Sequence, residues 1–282
     1  MRGQRRRRDR RGGVSKDALI FEPQDPRHLC FKRHHDRRRR RRARARGRGD
    51  QKNGDKNTAH KDLNILCRRL DFHYIAIDGP IGAGKSALTE RLAARLDASI
   101  VREDADNPFL ADFYADRPGA ALQAQLFYLL NRHRQLVERR QADLFSQITI
   151  CDYIFEKDRI YAYLNLDDNE LFIYQRLFDL LAQDIPTPDL VIYLQAPSEV
   201  LLKRLRARNK DSEHPALIPD EDYLRELNEA YHHFFFHYTA TSLLVIESSQ
   251  FRPQDDDQAL DDLVKQIKSM GRGTRYYVPR TG

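Results

Sequence analysis

Eight consecutive residues have the types and spacing of a loop that binds phosphate groups. They are Gly79, Pro80, Ile81, Gly82, Ala83, Gly84, Lys85 and Ser86. Glycine lets the backbone wrap closely around an anion, so that successive N–H groups and the start of the following helix point at phosphate oxygens. The motif predicts that Lys85 contacts the β- and γ-phosphates and that the Ser86 hydroxyl group holds Mg²⁺. We therefore expect the chain to bind a nucleoside triphosphate.

Carboxylates end two further apolar runs, and both could take part in phosphoryl transfer. In parallel sheets the ligand lies beyond the carboxyl ends of the strands, where Glu103 and Asp152 follow such runs. Glu103 could be the general base, and Asp152 could bind Mg²⁺ together with Ser86. A basic helical segment could close over the phosphates as a lid through Arg204, Arg206 and Arg208. Taken singly, a strand-end carboxylate is often a helix cap and an arginine-rich face is often only solvated, but together with the phosphate loop the catalytic interpretation is favoured.

The surrounding sequence alternates short apolar runs with helical patterns, which predicts an α/β domain. The segment before the phosphate loop favours a strand, and residues 87–96 are good helix formers with leucines four residues apart. The predicted strands are residues 74–78, 99–103, 148–152, 189–194 and 243–246. We expect a three-layer fold of the P-loop NTPase type over residues 71–282, with a five-stranded parallel sheet, helices on both faces and an arginine-rich lid.

Residues 1–70 differ sharply in composition from the rest of the chain. They carry a net charge of +17, whereas residues 71–282 carry −10. Blocks of like charge cannot bury a core, so we predict a disordered, Arg-rich extension. It could be a tail that binds nucleic acid through phosphate contacts. Because it lacks interleaved aromatic residues, we favour a dispensable extension or translation from an upstream start codon.

The remaining composition favours the cytoplasm. No apolar run approaches the length of a membrane span, and no apolar segment of a secretory signal follows the basic N-terminus. A mitochondrial transit peptide would be rich in serine and poor in acidic residues, unlike this segment. The three cysteines have neither metal-binding spacing nor an even number, which suits a reducing compartment.

From about Tyr74 to Pro279, the chain resembles the deoxynucleoside kinase family, and most closely its bacterial deoxyadenosine/deoxyguanosine kinase branch. Four stretches carry the resemblance: Ile77–Ser86, Glu103 with Asn107–Leu110, Asp152–Arg159, and Asn228–Tyr231 leading into Phe234–Ala240. The resemblance implies an ATP-dependent and Mg²⁺-dependent enzyme that is a homodimer. Its substrate would be a deoxynucleoside, and its role would be nucleotide salvage.

The resemblance also implies a role for individual residues. Glu103 would deprotonate the 5′-hydroxyl group of the deoxyribose, and Tyr114 would hold the 3′-hydroxyl group. Gln125 would bind the edge of the base, together with Arg132 and its partner Asp158. The positions that match lid residues are Arg206, Arg208 and, more weakly, Asp211.

Two positions depart from the family pattern. Tyr153 stands where the wider family has an arginine after the strand-end acid, so Arg159 or the lid would have to supply that charge. Asp211 is shorter than the usual glutamate. The expected reaction is phosphorylation of the 5′-hydroxyl group of a purine deoxynucleoside. The alternatives are a nucleoside monophosphate kinase similar to thymidylate kinase, and an ATP-binding protein that binds nucleic acid through residues 1–70.

Overall fold

The computed structural model describes residues 72–103, 106–142, 148–210, 219–251 and 256–279. Residues 1–70 and Asp211 lie outside these ranges. The predicted disordered extension, its possible binding to nucleic acid and the lid role of Asp211 therefore remain predictions.

The described part of the chain forms one parallel sheet with the strand order β2-β3-β1-β4-β5-β6. The strands are β1 (Tyr74–Asp78), β2 (Ser99–Val101), β3 (Thr149–Cys151), β4 (Leu190–Gln195), β5 (Ser242–Glu247) and β6 (Thr274–Tyr277). The α/β fold and the parallel sheet predicted from the sequence are confirmed.

The predicted number of five strands is wrong, because the described residues form six. The additional strand β6 lies at the edge of the sheet and pairs in parallel with β5. It has only four residues, three of which are exposed or half-buried. A short edge strand lacks the continuous apolar run by which a strand buried on both faces is recognised, and so the sequence pattern did not reveal it.

The helices are α1 (Lys85–Leu96), α2 (Leu110–Tyr114), α3 (Ala120–Ala142), α4 (Lys157–Asn165), α5 (Asp168–Leu181), α6 (Ser198–Lys210), α7 (Glu221–Phe236) and α8 (Asp257–Lys268), with a 3₁₀ turn at Ala182–Asp184. A capping box marks the start of α5, in which Asp167 accepts from the N–H of Glu170 and the Glu170 side chain accepts from the N–H of Asp167. Within the described segments, no helix is both long and apolar enough to cross a membrane.

Alternate residues of the central strands pack into different hydrophobic layers. Ile75 and Ile77 of β1 pack with the apolar faces of α1, α6 and α8, whereas Ala76 packs with α7 on the opposite face. This division follows from the two-residue period of a strand. A third cluster joins β3 with α3 and α5. The result is the expected three-layer arrangement of a sheet between two layers of helices.

The strand order determines which loops meet at the functional end of the sheet. β3 lies between β2 and β1, so the residues that follow these three strands are neighbours. They include the phosphate loop after β1, Glu103 after β2 and Asp152 after β3. Parallel strands bring their carboxyl ends to one edge of the sheet, and the fold therefore gathers these three groups.

Candidate active site

The phosphate loop is built tightly between β1 and α1. Gly79 has φ of 155°, and a Cβ atom there would lie 2.5 Å from the carbonyl oxygen of Leu194. Gly84 has φ of 100° and directly precedes α1, so the N–H groups of the first turn are left for a ligand. Lys85 Nζ donates hydrogen bonds to the carbonyl oxygens of Gly79 (2.8 Å) and Pro80 (3.2 Å). The loop thus has the shape of an anion cradle with the lysine lying across it.

Asp78, at the end of β1, joins three parts of the site. Its fully buried carboxylate accepts hydrogen bonds from the N–H groups of Gly79 (2.6 Å) and Ile154 (2.9 Å) and from the hydroxyl group of Tyr231 (3.3 Å). Burial raises the pKa of Asp78, and the nearby ammonium groups of Lys157 and Lys85 oppose that rise. Asp78 therefore ties the phosphate loop to the loop after β3 and to α7.

The Glu103 carboxylate lies between two cations. Arg132 Nε donates to Oε1 at 3.2 Å, and Lys157 Nζ lies 2.6 Å from Oε2. Both cationic side chains are almost fully buried, whereas 25% of the Glu103 side chain remains exposed. Burial alone would raise the pKa of Glu103, but the charges of Lys157 and Arg132 outweigh it and hold this pKa well below its usual range. The two cations therefore favour the ionised form of this carboxylate, which remains partly open to solvent.

Asp152, which follows β3, holds the backbone of Glu103. One of its carboxylate oxygens accepts the Glu103 N–H at 2.7 Å. Burial and the negative charge of Glu103 raise the pKa of Asp152, although this hydrogen bond and the charge of Lys157 act in the opposite direction. Asp152 thus connects the ends of β2 and β3 beside the phosphate loop. Ser86 lies exposed in the first turn of α1.

A second group of polar side chains is buried next to Glu103. Arg132 forms an ion pair with Asp158, whose side chain is inaccessible to solvent. Gln125 donates from Nε2 to the backbone oxygen of Asp158 at 3.1 Å, and Tyr174 donates from its hydroxyl group to the Asp158 carboxylate at 2.7 Å. The structure therefore brings together Gln125, Arg132 and Asp158, the residues expected to bind the base, at one side of Glu103.

Tyr114 lies at the more open edge of the site. It ends the short helix α2, its side chain is 46% exposed, and its ring packs edge-on against Phe113. Tyr128 of α3 lies beneath the Arg132 guanidinium group, 4.9 Å from its Cζ atom. Burial, followed by the negative charge of Glu103, raises the pKa of Tyr128 to about 12, although the charge of Arg132 acts in the opposite direction. The contact of Tyr114 with a 3′-hydroxyl group remains a prediction.

The arginines of the predicted lid do not all lie on one face of α6. Arg204 donates to the carbonyl oxygens of Ser248 (2.5 Å) and Ala83 (3.3 Å), so it connects the phosphate loop with the segment after β5 through hydrogen bonds. Arg206 is 62% exposed and lies 4.0 Å from Glu221. Arg208 is exposed one turn beyond Arg204. This structure therefore gives Arg204 a structural contact, whereas the lid roles of Arg206 and Arg208 remain predictions.

Sequence reasoning missed Lys157 as a functional residue. Its position at the start of α4, within a stretch that carried the family resemblance, was the available signal. Arg159, which was considered instead as a source of positive charge, lies with its guanidinium group 5.3 Å from the centre of the Phe178 ring. Asp78 was also missed, since a single acid that ends a strand has no distinctive spacing.

A P-loop after the first strand of a parallel sheet, with a paired glutamate and an aspartate at the next two strand ends, defines a nucleotide-binding protein equipped for phosphoryl transfer. The sequence profile of the deoxynucleoside kinase family matches residues 75–271. The chain therefore belongs to the deoxynucleoside kinase family.

Individual relatives agree with this assignment. The chain is 33% identical to deoxyguanosine kinase of Bacillus subtilis over 56% of this chain and 76% of that protein. It is 34% identical to deoxyadenosine kinase of Dictyostelium discoideum over 61% and 70%, respectively. A thymidylate kinase of Latilactobacillus sakei is 30% identical over 49% of this chain and 69% of that protein.

The fold is also shared with a solved structure. Deoxyadenosine kinase from M. mycoides with bound dATP superposes with a TM-score of 0.58. The match covers 69% of this chain and 99% of the other, at 23% identity. This likeness supports the P-loop architecture of the described domain.

Proposed function

We propose that this deoxynucleoside kinase uses ATP and Mg²⁺ to phosphorylate the 5′-hydroxyl group of a purine deoxynucleoside. The observation that carries the proposal is the carboxylate of Glu103, which is paired with two cations and adjoins the buried side chains of Arg132, Asp158 and Gln125. The names of the relatives, which include deoxyguanosine and deoxyadenosine kinases, support the choice of a purine.

In the proposed mechanism, the residues of the P-loop bind and orient the triphosphate. The backbone N–H groups of the loop face the phosphate oxygens, and Lys85 exchanges its contacts with loop carbonyls for contacts with the β- and γ-phosphates. Burial and the proximity of Lys157 lower the pKa of Lys85. Binding of an anionic phosphate reverses part of that effect, so the charged form of Lys85 and the nucleotide stabilise each other.

Glu103 accepts the proton of the 5′-hydroxyl group. As the hydroxyl oxygen forms a bond to the γ-phosphorus, the bond from that phosphorus to the β,γ-bridging oxygen breaks, and its electron pair leaves with ADP. In a loose transition state the proton moves late, so a weakly basic carboxylate suffices as the acceptor. Arg132 keeps the carboxylate oriented while it also faces the base pocket through Asp158.

Gln125, Arg132 and Asp158 supply the contacts to the base. An amide side chain offers both a donor and an acceptor, which matches the edge of a purine. Asp158 fixes Arg132 from one side, and Tyr174 fixes Asp158 in turn. Tyr114 is the candidate for contact with the 3′-hydroxyl group at the open edge of the pocket.

The residues near the P-loop fit a magnesium ion bound mainly by the nucleotide. Mg²⁺ is usually held by one or two protein oxygens together with phosphate oxygens and water. The Ser86 hydroxyl group and the Asp152 carboxylate are suitable ligands. When bound, the ion would neutralise charge on the phosphates.

The similarity to a thymidylate kinase favours a monophosphate kinase as the second candidate. Such an enzyme needs cationic groups to receive the phosphate of its acceptor. The two buried cations beside Glu103 both contact carboxylates, Arg132 with Glu103 and Asp158 and Lys157 with Glu103. This arrangement suits an uncharged deoxynucleoside better than an acceptor that carries a phosphate group.

One experiment separates the candidates. The full-length chain is incubated with ATP and Mg²⁺, and ADP release is followed with deoxyadenosine, deoxyguanosine, deoxycytidine, thymidine or thymidine monophosphate. We expect turnover with a purine deoxynucleoside. Turnover with pyrimidine deoxynucleosides alone would contradict the purine assignment, and turnover with the monophosphate alone would establish the second candidate. A parallel assay of residues 71–282 tests whether the extension is dispensable.

We further propose that the enzyme is a cytoplasmic homodimer acting in nucleotide salvage. Exposed apolar side chains support self-association: Phe172, Ile173 and Leu180 on α5, and Leu130 on the adjoining α3. Light scattering of the full-length chain would test the dimer, because a monomeric mass at micromolar concentration would contradict it.

A further inference from the structure

Lys157 is a buried cation at the centre of the site, and the proposed function gives it no role so far. It is the first residue of α4, and only 3% of its side chain is exposed. Its ammonium group lies 2.6 Å from Glu103 Oε2 and 5.6 Å from the centre of the Tyr153 ring. A lysine is rarely buried without a reason, because removing an ammonium group from water is costly.

The charge of Lys157 acts on four other charged side chains of the site. Its charge acts on the carboxylates of Asp78, Glu103 and Asp152, and it lowers the pKa of Lys85. A lysine that served only to neutralise Glu103 would duplicate Arg132, which already contacts that carboxylate. The charges of Lys157 and Lys85 also repel each other beside the loop where a triphosphate would bind. Anionic phosphate groups bound at this place would offset the repulsion between the two ammonium groups.

The residues next to Lys157 in the sequence do not supply a positive charge to Glu103. Tyr153, directly after Asp152, is fully buried and donates its hydroxyl group to Gln135 Oε1 at 2.8 Å, so this position supplies no cation. The guanidinium group of Arg159 lies over the Phe178 ring. Lys157 contacts Glu103 directly, and its charge also acts on Asp78 and Lys85 beside the P-loop.

We propose that Lys157 is a catalytic residue whose ammonium group bridges Glu103 and the transferring phosphoryl group. An ammonium group has three N–H donors, so one can remain on Glu103 while another contacts an equatorial oxygen of the γ-phosphoryl group. The 5′-hydroxyl group would lie between them, its proton passing to Glu103 as the oxygen bonds to phosphorus and ADP departs. This role rests on the proposed function, since it requires Glu103 to be the base.

The test compares Lys157→Gln and Lys157→Arg with Lys265→Gln, which removes a lysine from the exposed face of α8. Lys157→Gln is expected to lower kcat by about 10²–10³-fold, as does the loss of other single donors that stabilise transition-state charge. The KM for the deoxynucleoside should change little, because the interaction forms in the transition state. Lys157→Arg should restore part of the loss, and Lys265→Gln should retain normal activity.

A second measurement separates a change in the charge state of Glu103 from a loss of folded protein. Removing Lys157 takes away one of the two cations that depress the pKa of Glu103, so this pKa must rise. The acidic limb of the kcat–pH profile should therefore move to higher pH in Lys157→Gln and stay in place in Lys265→Gln. Infrared titration of the Glu103 carboxylate, identified by its loss in Glu103→Gln, should show the same shift without any turnover.

Each outcome is decisive. Near-normal kcat with an unmoved acidic limb in Lys157→Gln overturns the proposal while the kinase assignment stands. Activity that instead falls only in proportion to the folded fraction, with no shift of the acidic limb of the kcat–pH profile, is the second contrary result. That result makes Lys157 a structural residue and also overturns the proposal. If the unmodified chain turns over neither nucleosides nor thymidine monophosphate, the proposed function itself fails, and the catalytic role of Lys157 fails with it.

Discussion

Replacing Glu103 with glutamine tests the central assignment, because glutamine keeps the shape of the side chain and removes its charge. Glu103 accepts from Arg132 and Lys157 through different oxygens. Glutamine retains one acceptor oxygen, so one of the two charged contacts is lost. We expect kcat to fall on the order of 10²–10⁴-fold, the usual range for a positioned general base, and the KM for ATP to change little.

The same substitution has a cost in stability that follows from the contacts. A hydrogen bond to a charged group contributes about 1.5–3 kcal/mol, and one such bond is lost. For a domain of this size, 1 kcal/mol shifts Tm by about 2–4 °C, so we expect Tm to fall by roughly 3–12 °C. Glu90→Gln is the control, because Glu90 forms an exposed ion pair with Arg102, and such pairs contribute little.

The pH dependence of unfolding gives an independent check on whether the ionised Glu103 carboxylate stabilises the fold. The pKa of Glu103 is lower in the folded protein than in the unfolded chain, so the unfolded state binds more protons at acidic pH. The stabilisation by Glu103 is therefore complete above the unfolded value of about 4.3 and is lost as the pH falls below it. Glu103→Gln should lack this contribution. Near-normal kcat and an unchanged acid dependence of unfolding would remove Glu103 from both the mechanism and the ion-pair network.

Three further substitutions test other parts of the site. Lys85→Ala should lower kcat/KM for ATP by about 10²-fold or more in the ADP-release assay, and unchanged kinetics would contradict the P-loop assignment. Gly79→Ala places a Cβ atom against the Leu194 carbonyl oxygen and should destabilise the fold by about 1–3 kcal/mol in denaturant unfolding, whereas a normal midpoint would show that the loop can shift. Tyr174→Phe removes a hydrogen-bond donor from buried Asp158, which should lower the free energy of unfolding by about 1–3 kcal/mol. It should also raise the KM for the deoxynucleoside more than the KM for ATP. Equal changes in the two KM values would show that Asp158 does not act on the base pocket.

The elements that were predicted well are those with a strong local pattern. β1 has the predicted bounds, and α1 ends at Leu96, the last residue of the predicted helical segment. The ends of β2 and β3 were extended too far, since Glu103 and Asp152 belong to the loops that follow them. β6 was missed because an exposed edge strand needs no apolar run, and its pairing with β5 depends on a partner that is distant in the sequence.

The structural surroundings of the proposed lid and base were less accessible to sequence reasoning. A helix with arginines at alternate positions presents them on different faces, so Arg204 and Arg206 cannot share one role by spacing alone. The structure shows Arg204 bound to backbone carbonyl groups and Arg206 directed toward Glu221. Which face of the helix meets the P-loop is decided by the packing of Leu201 and Leu205 near Gly82.

The sequence by itself determined the phosphate-binding chemistry, because the P-loop is a contiguous motif whose conformation depends on neighbouring residues. It also determined the α/β class and the family resemblance. Only the tertiary structure decided how Glu103 is held. Arg132 and Lys157 lie 29 and 54 residues away along the chain. They meet Glu103 because β3 inserts between β2 and β1 and because α3 and α4 pack beside those strands, and no local pattern encodes that pairing of distant segments.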